Sequence, residues 1–294
     1  LRLGVRGMMW LTLVIMMWGI ISCRTQEEKR LEEVLSLPLA NKEELQKVLD
    51  HYKDDSLKYQ AVCFLIRNMP FHAGYEGNAL KHYYQYFDIY AQGKLGPHEV
   101  IDSLKENSFS VSQLKRIEDI ANIDSSLLVQ NVDWAFKVWR EQPWGKNVSF
   151  DNFCEFVLPY RLGDEPLGFW REDIYKRYNP ILDSIRLLPQ AQDPLVAAKV
   201  LMDSLVVEQS HFTGLFPAGP HLGPSVVSWR AGSCREFADL VVYVMRALGI
   251  PCGTDYMAMR GDNNVPHFWN FTLDKDGKTY ITEFPDPNWK RAVS

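Results

Sequence analysis

Toward the C-terminal end the chain carries Ser233-Cys234-Arg235-Glu236-Phe237-Ala238 and, further on, His267-Phe268-Trp269-Asn270. A thiol and an imidazole are the two halves of an activated nucleophile, in which the ring takes the thiol proton and the thiolate attacks a carbonyl carbon. Ser233 is a good N-cap and Glu236 sits in the first turn. Phe237, Leu240, Val241, Val244, Met245 and Leu248 then return at helical intervals until Gly249 and Pro251 stop the helix. Cys234 therefore falls in the first helical turn, where free backbone N–H groups and the helix dipole favour a thiolate, while a nearby Glu236 opposes it. A buried, inert cysteine at a helix start is the competing reading.

His267 opens a strand through Leu273. Asp274-Lys275-Asp276-Gly277 is a strong turn signal, and Thr279 to Phe284 reads as the return strand. The histidine thus lies near one end of a hairpin, with Glu283 and Asp286 near the matching end, where a carboxylate can select the ring tautomer. A packed strand-end histidine and solvated carboxylates are the bland alternatives. The Cys234 N–H and one upstream donor, in the neighbourhood of Trp229 and Arg230, are candidates for an oxyanion site, and Trp269 for a substrate contact.

The elements that must hold these groups are legible from periodicity. From Glu27 to about Tyr178 the pattern is mostly helical. Asn41 with Glu44 reads as a capping pair ahead of the stripe Leu45, Val48, Leu49 and Tyr52, and further helices are expected over 57–67, 79–92 and 125–140. Their apolar faces call for packed helical hairpins. The dense aromatics of 83–90 and 134–160 read mainly as core, although a groove for peptide or sugar is the alternative. Arg161-Leu162-Gly163-Asp164-Glu165-Pro166 is a charged bend that either borders a cleft or ties two parts together. Asp193-Pro194 caps a helix to about Val207, and the Gly- and Pro-rich stretch 211–226 is either a cleft wall or a connector. A boundary is expected near residue 180, giving an α+β chain with a helical domain over 24–180 and a second unit over 181–294.

With 32 basic and 37 acidic residues and a formal net charge of -5, the chain offers no general attraction to nucleic acid or anionic membrane. The first 23 residues are a separate object. Arg2 and Arg6 precede the apolar run Met8 to Ile21, which has the shape of a secretion signal. Ile20-Ile21-Ser22-Cys23 resembles a bacterial lipobox, which implies lipidation of Cys23. Cleavage without lipid and a retained helical anchor are the alternatives. Cys63, Cys154, Cys234 and Cys252 lack the paired spacing of a sulfur-ligated zinc site, and all but Cys234 fall in apolar contexts.

Taken together, Gly232 to Ala238, the helix ending Arg246-Ala247-Leu248-Gly249-Ile250-Pro251 and the His267-Phe268-Trp269-Asn270 strand resemble the core of the transglutaminase-like superfamily over about residues 190–289. The resemblance implies a papain-like Cys-His-acid arrangement with a short antiparallel sheet, Cys234 as nucleophile and His267 as its base. For the acidic member, counting from the turn glycine selects Glu283, whereas the family's usual Asp-Pro pair selects Asp286, and the latter is preferred. It further implies peptidase or amidase work rather than crosslinking, a peptide, protein or peptidoglycan-like substrate, and no cofactor or metal. A long N-terminal region behind a lipoprotein signal resembles secreted Bacteroidetes members, implying export and lipid anchoring in the cell envelope, facing the periplasm or the cell surface. A noncatalytic peptide- or glycan-binding scaffold on the same fold is the alternative. In the family, further sheet follows the acidic residue, so a chain stopping at Ser294 reads as a fragment or a trimmed variant.

Overall fold

A computed structural model describes residues 25–105, 109–261 and 264–292; Cys23 and the signal-like segment lie outside the described residues. In chain order the elements are α1 (Gln26–Leu35), α2 (Lys42–His51), α3 (Ser56–Asn68), β1 (Ala73–Glu76), α4 (Ala79–Ala91), α5 (Pro97–Ser103), β2 (Lys115–Glu118), α6 (Asp119–Asn122), α7 (Ser125–Glu141), α8 (Phe150–Phe156), α9 (Arg171–Tyr178) and α10 (Pro194–Val207). There follow β3 (His211–Phe212), α11 (Val226–Trp229), β4 (Ala231–Gly232), α12 (Cys234–Ala247), β5 (Cys252–Met257), β6 (His267–Leu273), β7 (Thr279–Glu283) and β8 (Asp286–Arg291). Helix and sheet are mixed, as the α+β expectation requires. The largest described sheet has the order β5-β6-β7-β8, and every neighbour in it is antiparallel.

Local rules account for most of these elements. Asp193 accepts from the Leu195 N–H ahead of Pro194, and Asp124 accepts from the Leu127 N–H to start α7. Asn41 makes no side-chain cap; the Glu44 carboxylate instead crosses to the Ser125 N–H and hydroxyl, joining the starts of α2 and α7. A local capping pair and a tertiary bridge use the same acceptor, and the bridge wins here.

Two apolar clusters form. One gathers α2, α3, α7 and α8 around Leu45, Ile66, Phe136 and Phe153. The other centres on α10 and α12 and takes in the sheet through Cys252 and Phe284. Tyr83, Phe87 and Tyr90 of α4 belong to this second cluster, as does Trp144, whose indole N–H donates to the Leu248 carbonyl. The clusters therefore do not part at residue 180, because an aromatic helix from the first half of the chain packs into the core of the second.

Helix α12 is the axis of that core, with every residue from Glu236 to Ala247 buried. It ends at Gly249, whose φ of 76° is left-handed backbone, and a side chain there would press on the Val138 main chain at 3.1 Å. One stripe of α12 faces the sheet, where Asn270 Nδ2 donates to the Ala238 carbonyl at 3.0 Å and Phe237 stacks on Phe284 at 4.8 Å. Arg235, Asp239, Tyr243 and Arg246 form a second, polar stripe with partners mostly in loops. Arg246 donates to the carbonyls of Phe156 and Arg161, and the Tyr243 hydroxyl donates to Glu165. The charged bend is thus structural. Arg161 pairs with buried Asp119 at 2.7 Å, and Glu165 accepts from the Leu162 and Gly163 N–H groups. Burial works against the charged form of Glu165, but these donors, Arg161 and Tyr243 outweigh it and hold the carboxyl below its ordinary range.

Candidate functional site

Cys234 is the first residue of α12 and is partly exposed, whereas Cys63, Cys154 and Cys252 are buried. Burial pushes the thiols of Cys154 and Cys252 up to about 12, so both are inert at neutral pH. Ser233 caps the helix. Its N–H and hydroxyl both donate to Glu236 Oε2, at 2.8 and 2.6 Å, and its oxygen accepts from the Arg235 N–H. Gly232 permits this, since a Cβ there would lie 2.4 Å from the Glu236 Cβ. Glu236 is buried, and its other oxygen accepts from Arg235 Nε at 2.8 Å. Its charge is therefore answered by a guanidinium beside it and does not stand alone near the thiol.

His267 is the first residue of β6 and is paired with Met257 of β5. Its Nε2 lies 2.9 Å from Glu283 Oε1, and its ring sits 5.7 Å from that of Trp269. With Nε2 held by Glu283, Nδ1 is the nitrogen left to face a thiol. Asp286 is spent otherwise: its carboxylate accepts from the Asn288 N–H and Nδ2, at 3.0 and 2.6 Å, closing its own turn. Of the two carboxylates weighed from sequence, the structure brings Glu283 to the ring and turns Asp286 toward Asn288. The longer Glu283 side chain spans from β7 to β6, and the local turn captures the shorter Asp286.

The Cys234 and His267 groups lie at the same end of the helix-sheet layer. Cys234 precedes Ala238 by one helical turn, about 6 Å along the axis. His267 precedes Asn270 by three strand residues, about 10 Å, and Asn270 is bonded to Ala238. Side chains alternate along a strand, however, and Asn270 and Thr272 turn toward α12. The regular pleat therefore sends His267, Trp269 and Phe271 to the opposite face, and Glu283, which precedes the Phe284 stacked on Phe237, goes with them. Among the described residues no hydrogen bond joins Cys234 to His267.

The upstream candidates are committed to packing. Arg230, in left-handed backbone at φ 48°, is buried and donates to the carbonyls of Leu205 and Gln209 and to the Ser210 hydroxyl. Trp229 stacks on Phe87 at 5.9 Å. Both side chains therefore serve the join between α10, α4 and the β3-β4 pair, and neither supplies an oxyanion donor from its side chain.

Sequence reasoning missed a second histidine-carboxylate pair. His221 Nδ1 lies 2.7 Å from Asp239 Oδ2 on the polar stripe of α12. Burial disfavours the charged ring, but attraction and a hydrogen bond from Asp239 outweigh it and push His221 up to about 9. Beside it, Arg235 donates to the Gly219 and Pro220 carbonyls, and the Tyr83 hydroxyl also donates to Pro220. The 211–226 stretch is thus strapped over the cysteine end of α12. The signal was present in the recurrence of Arg235, Asp239, Tyr243 and Arg246 at helical spacing, a polar stripe on a helix otherwise apolar. Neither a scan against protein-family models nor searches of curated proteins and of solved structures finds a match.

Proposed function

We propose that this protein hydrolyses an amide or peptide bond on a transglutaminase-like core, with Cys234 as nucleophile, His267 as its base and Glu283 as the carboxylate that orients the ring. The observation that carries the proposal is the 2.9 Å His267-Glu283 pair at the end of the sheet where α12 begins with its partly exposed thiol. His267 would take the thiol proton, and the sulfur would attack the carbonyl carbon. The amine would leave with the proton from His267, forming a thioester. Water would then add to the thioester while giving a proton to His267, and the acid would depart as the thiol re-forms. The Cys234 N–H, which heads the helix without an intrahelical acceptor, supports one oxyanion contact.

His267 must approach Nδ1-first for this chemistry. As the first residue of β6, it would have to turn its ring from the far face of the sheet toward α12 while its backbone stays paired with Met257. Catalytic hydrogen bonds that are open without substrate commonly tighten when it binds. The second reading is a noncatalytic peptide- or glycan-binding module, favoured by the missing Cys234-His267 hydrogen bond. Export and lipid anchoring at Cys23 remain part of the proposal and rest on the N-terminal sequence.

Alkylation of Cys234 by iodoacetamide across pH separates the readings. Hydrolytic chemistry predicts fast labelling near neutral pH that drops about tenfold or more in His267→Ala, whereas a binding module predicts labelling that follows an ordinary thiol near about 8.5 in both proteins.

A further inference from the structure

The two edges of the four-stranded sheet are treated differently. β8 carries Pro287, Lys290 and Arg291, its pairing with β7 slips between Ile281 and Glu283, and α10 packs against it. Proline, cationic side chains, irregular register and a covering helix are the usual devices that stop a sheet edge from recruiting another strand. β5 has no proline, no cationic side chain and no break in register, although α12 packs on it as α10 does on β8. Its sequence Cys-Gly-Thr-Asp-Tyr-Met contains no proline or lysine, and its pairing with β6 runs unbroken from Cys252-Thr272 to Met257-His267. Among the described residues, no backbone hydrogen bond ties Thr254 to Met257 to anything but β6. Tyr256 is 57% exposed and Met257 44%.

The bare part of β5 is also the part nearest the proposed chemistry. Asn270 links Gly253 and Thr254 to Ala238 of α12, so the strand beyond Thr254 runs out past the cysteine end of the helix and finishes beside His267. A row of unpaired N–H and C=O groups at strand spacing is complementary to one kind of ligand, an extended polypeptide backbone.

We propose that β5 is the substrate-docking edge, and that an extended peptide segment pairs with Thr254 to Met257 as an added strand leading to the Cys234 and His267 end. This deepens the hydrolytic reading and rests on it for the segment's role as substrate. It selects an unfolded or extended polypeptide over a side-chain amide on a folded surface. Alternation sets the preferences. Peptide side chains opposite Met257 and Tyr256 meet apolar surface, and one opposite Asp255 meets a carboxylate, so two adjacent apolar residues with a basic residue next to them on the Asp255 side fit best.

The test uses the Cys234→Ala protein, so that binding is read without turnover. The probe is a short fluorescein-labelled peptide of alternating valine and threonine with a lysine at each end. Its control is the same peptide N-methylated at every second residue. Saturable binding that weakens about tenfold or more with the N-methylated peptide, and about fivefold in Met257→Lys, is expected, because each removes edge pairing or places a cation on the strand. Amide exchange over Thr254 to Met257 should slow on binding. Equal binding of both peptides, no binding up to about millimolar probe, or protection of β5 through dimerisation without peptide each overturns the proposal. If pairing fails while Cys234 retains His267-dependent alkylation, docking alone is wrong. If pairing holds while that alkylation is absent, the chemistry is wrong and the docking edge stands.

Discussion

At the scale of single residues, Glu283 and Asp286 differ in what their neighbours ask of them. Glu283 holds the His267 ring, and Asp286 closes a turn on Asn288. Glu283→Gln should therefore slow neutral-pH alkylation of Cys234 about tenfold, because an amide no longer fixes or balances the ring, while Asp286→Asn should change it less than about twofold. Peptide mapping of alkylated protein should find label on Cys234 and none on Cys63, Cys154 or Cys252 while the fold is intact. The histidine, the helix-start cysteine and both carboxylates were legible because turn and cap residues fix where strands and helices begin. The choice between carboxylates was not, since side-chain reach and a competing turn decide it. Arg230 and Trp229 were near the helix start in sequence, but a left-handed residue and an aromatic stack carry their side chains into packing.

Among the elements, α12 shows how a helix can be buried all round and still keep a partly exposed thiol at its tip. Its apolar stripe meets the sheet and its polar stripe meets loops, and Ser233 with Glu236 closes the first turn. Ser233→Ala should cost about 1 kcal/mol of stability by denaturant unfolding, because the cap oxygen and its partner to Glu236 are lost together. The His221-Asp239 pair gives the helix a pH dependence. His221 is raised from its free value near 6.5 to about 9, so its contribution, roughly 3 kcal/mol by linkage, is fully present below the free value and is lost as pH rises through about 9. Urea midpoints should fall between about pH 6 and about pH 10 in the parent protein, and that part of the fall should vanish in His221→Gln. The α12 boundaries were readable from Ser233 and Gly249. The loop that supplies His221 was not, because a Gly- and Pro-rich stretch has no period to say which face it crosses.

In the whole molecule, the join between the clusters rests on buried arginines. Arg171 is buried and donates to Asn131, to the carbonyls of Val157, Leu158 and Pro159, and to that of Arg246. Arg171→Ala should destabilise by about 3–5 kcal/mol, because it strands these acceptors and opens a cavity, and calorimetry should show a lower single transition or two separated ones. Apolar stripes predicted the α7 helix and the α4 helix, but not that α4 packs against α11 and β4 in the core of the second half. A stripe declares that a face is buried without naming its partner, and the boundary expected near residue 180 failed to separate the clusters for that reason. The strap over the start of α12 has a consequence for handling the protein. Stretches rich in glycine and proline are the usual targets of a nicking protease, yet here Arg235 and Tyr83 clamp Gly219 and Pro220, and the Thr213 N–H bonds to Gly232. Limited digestion should leave 211–226 whole, and Arg235→Ala should turn that same stretch into the first place the chain is cut.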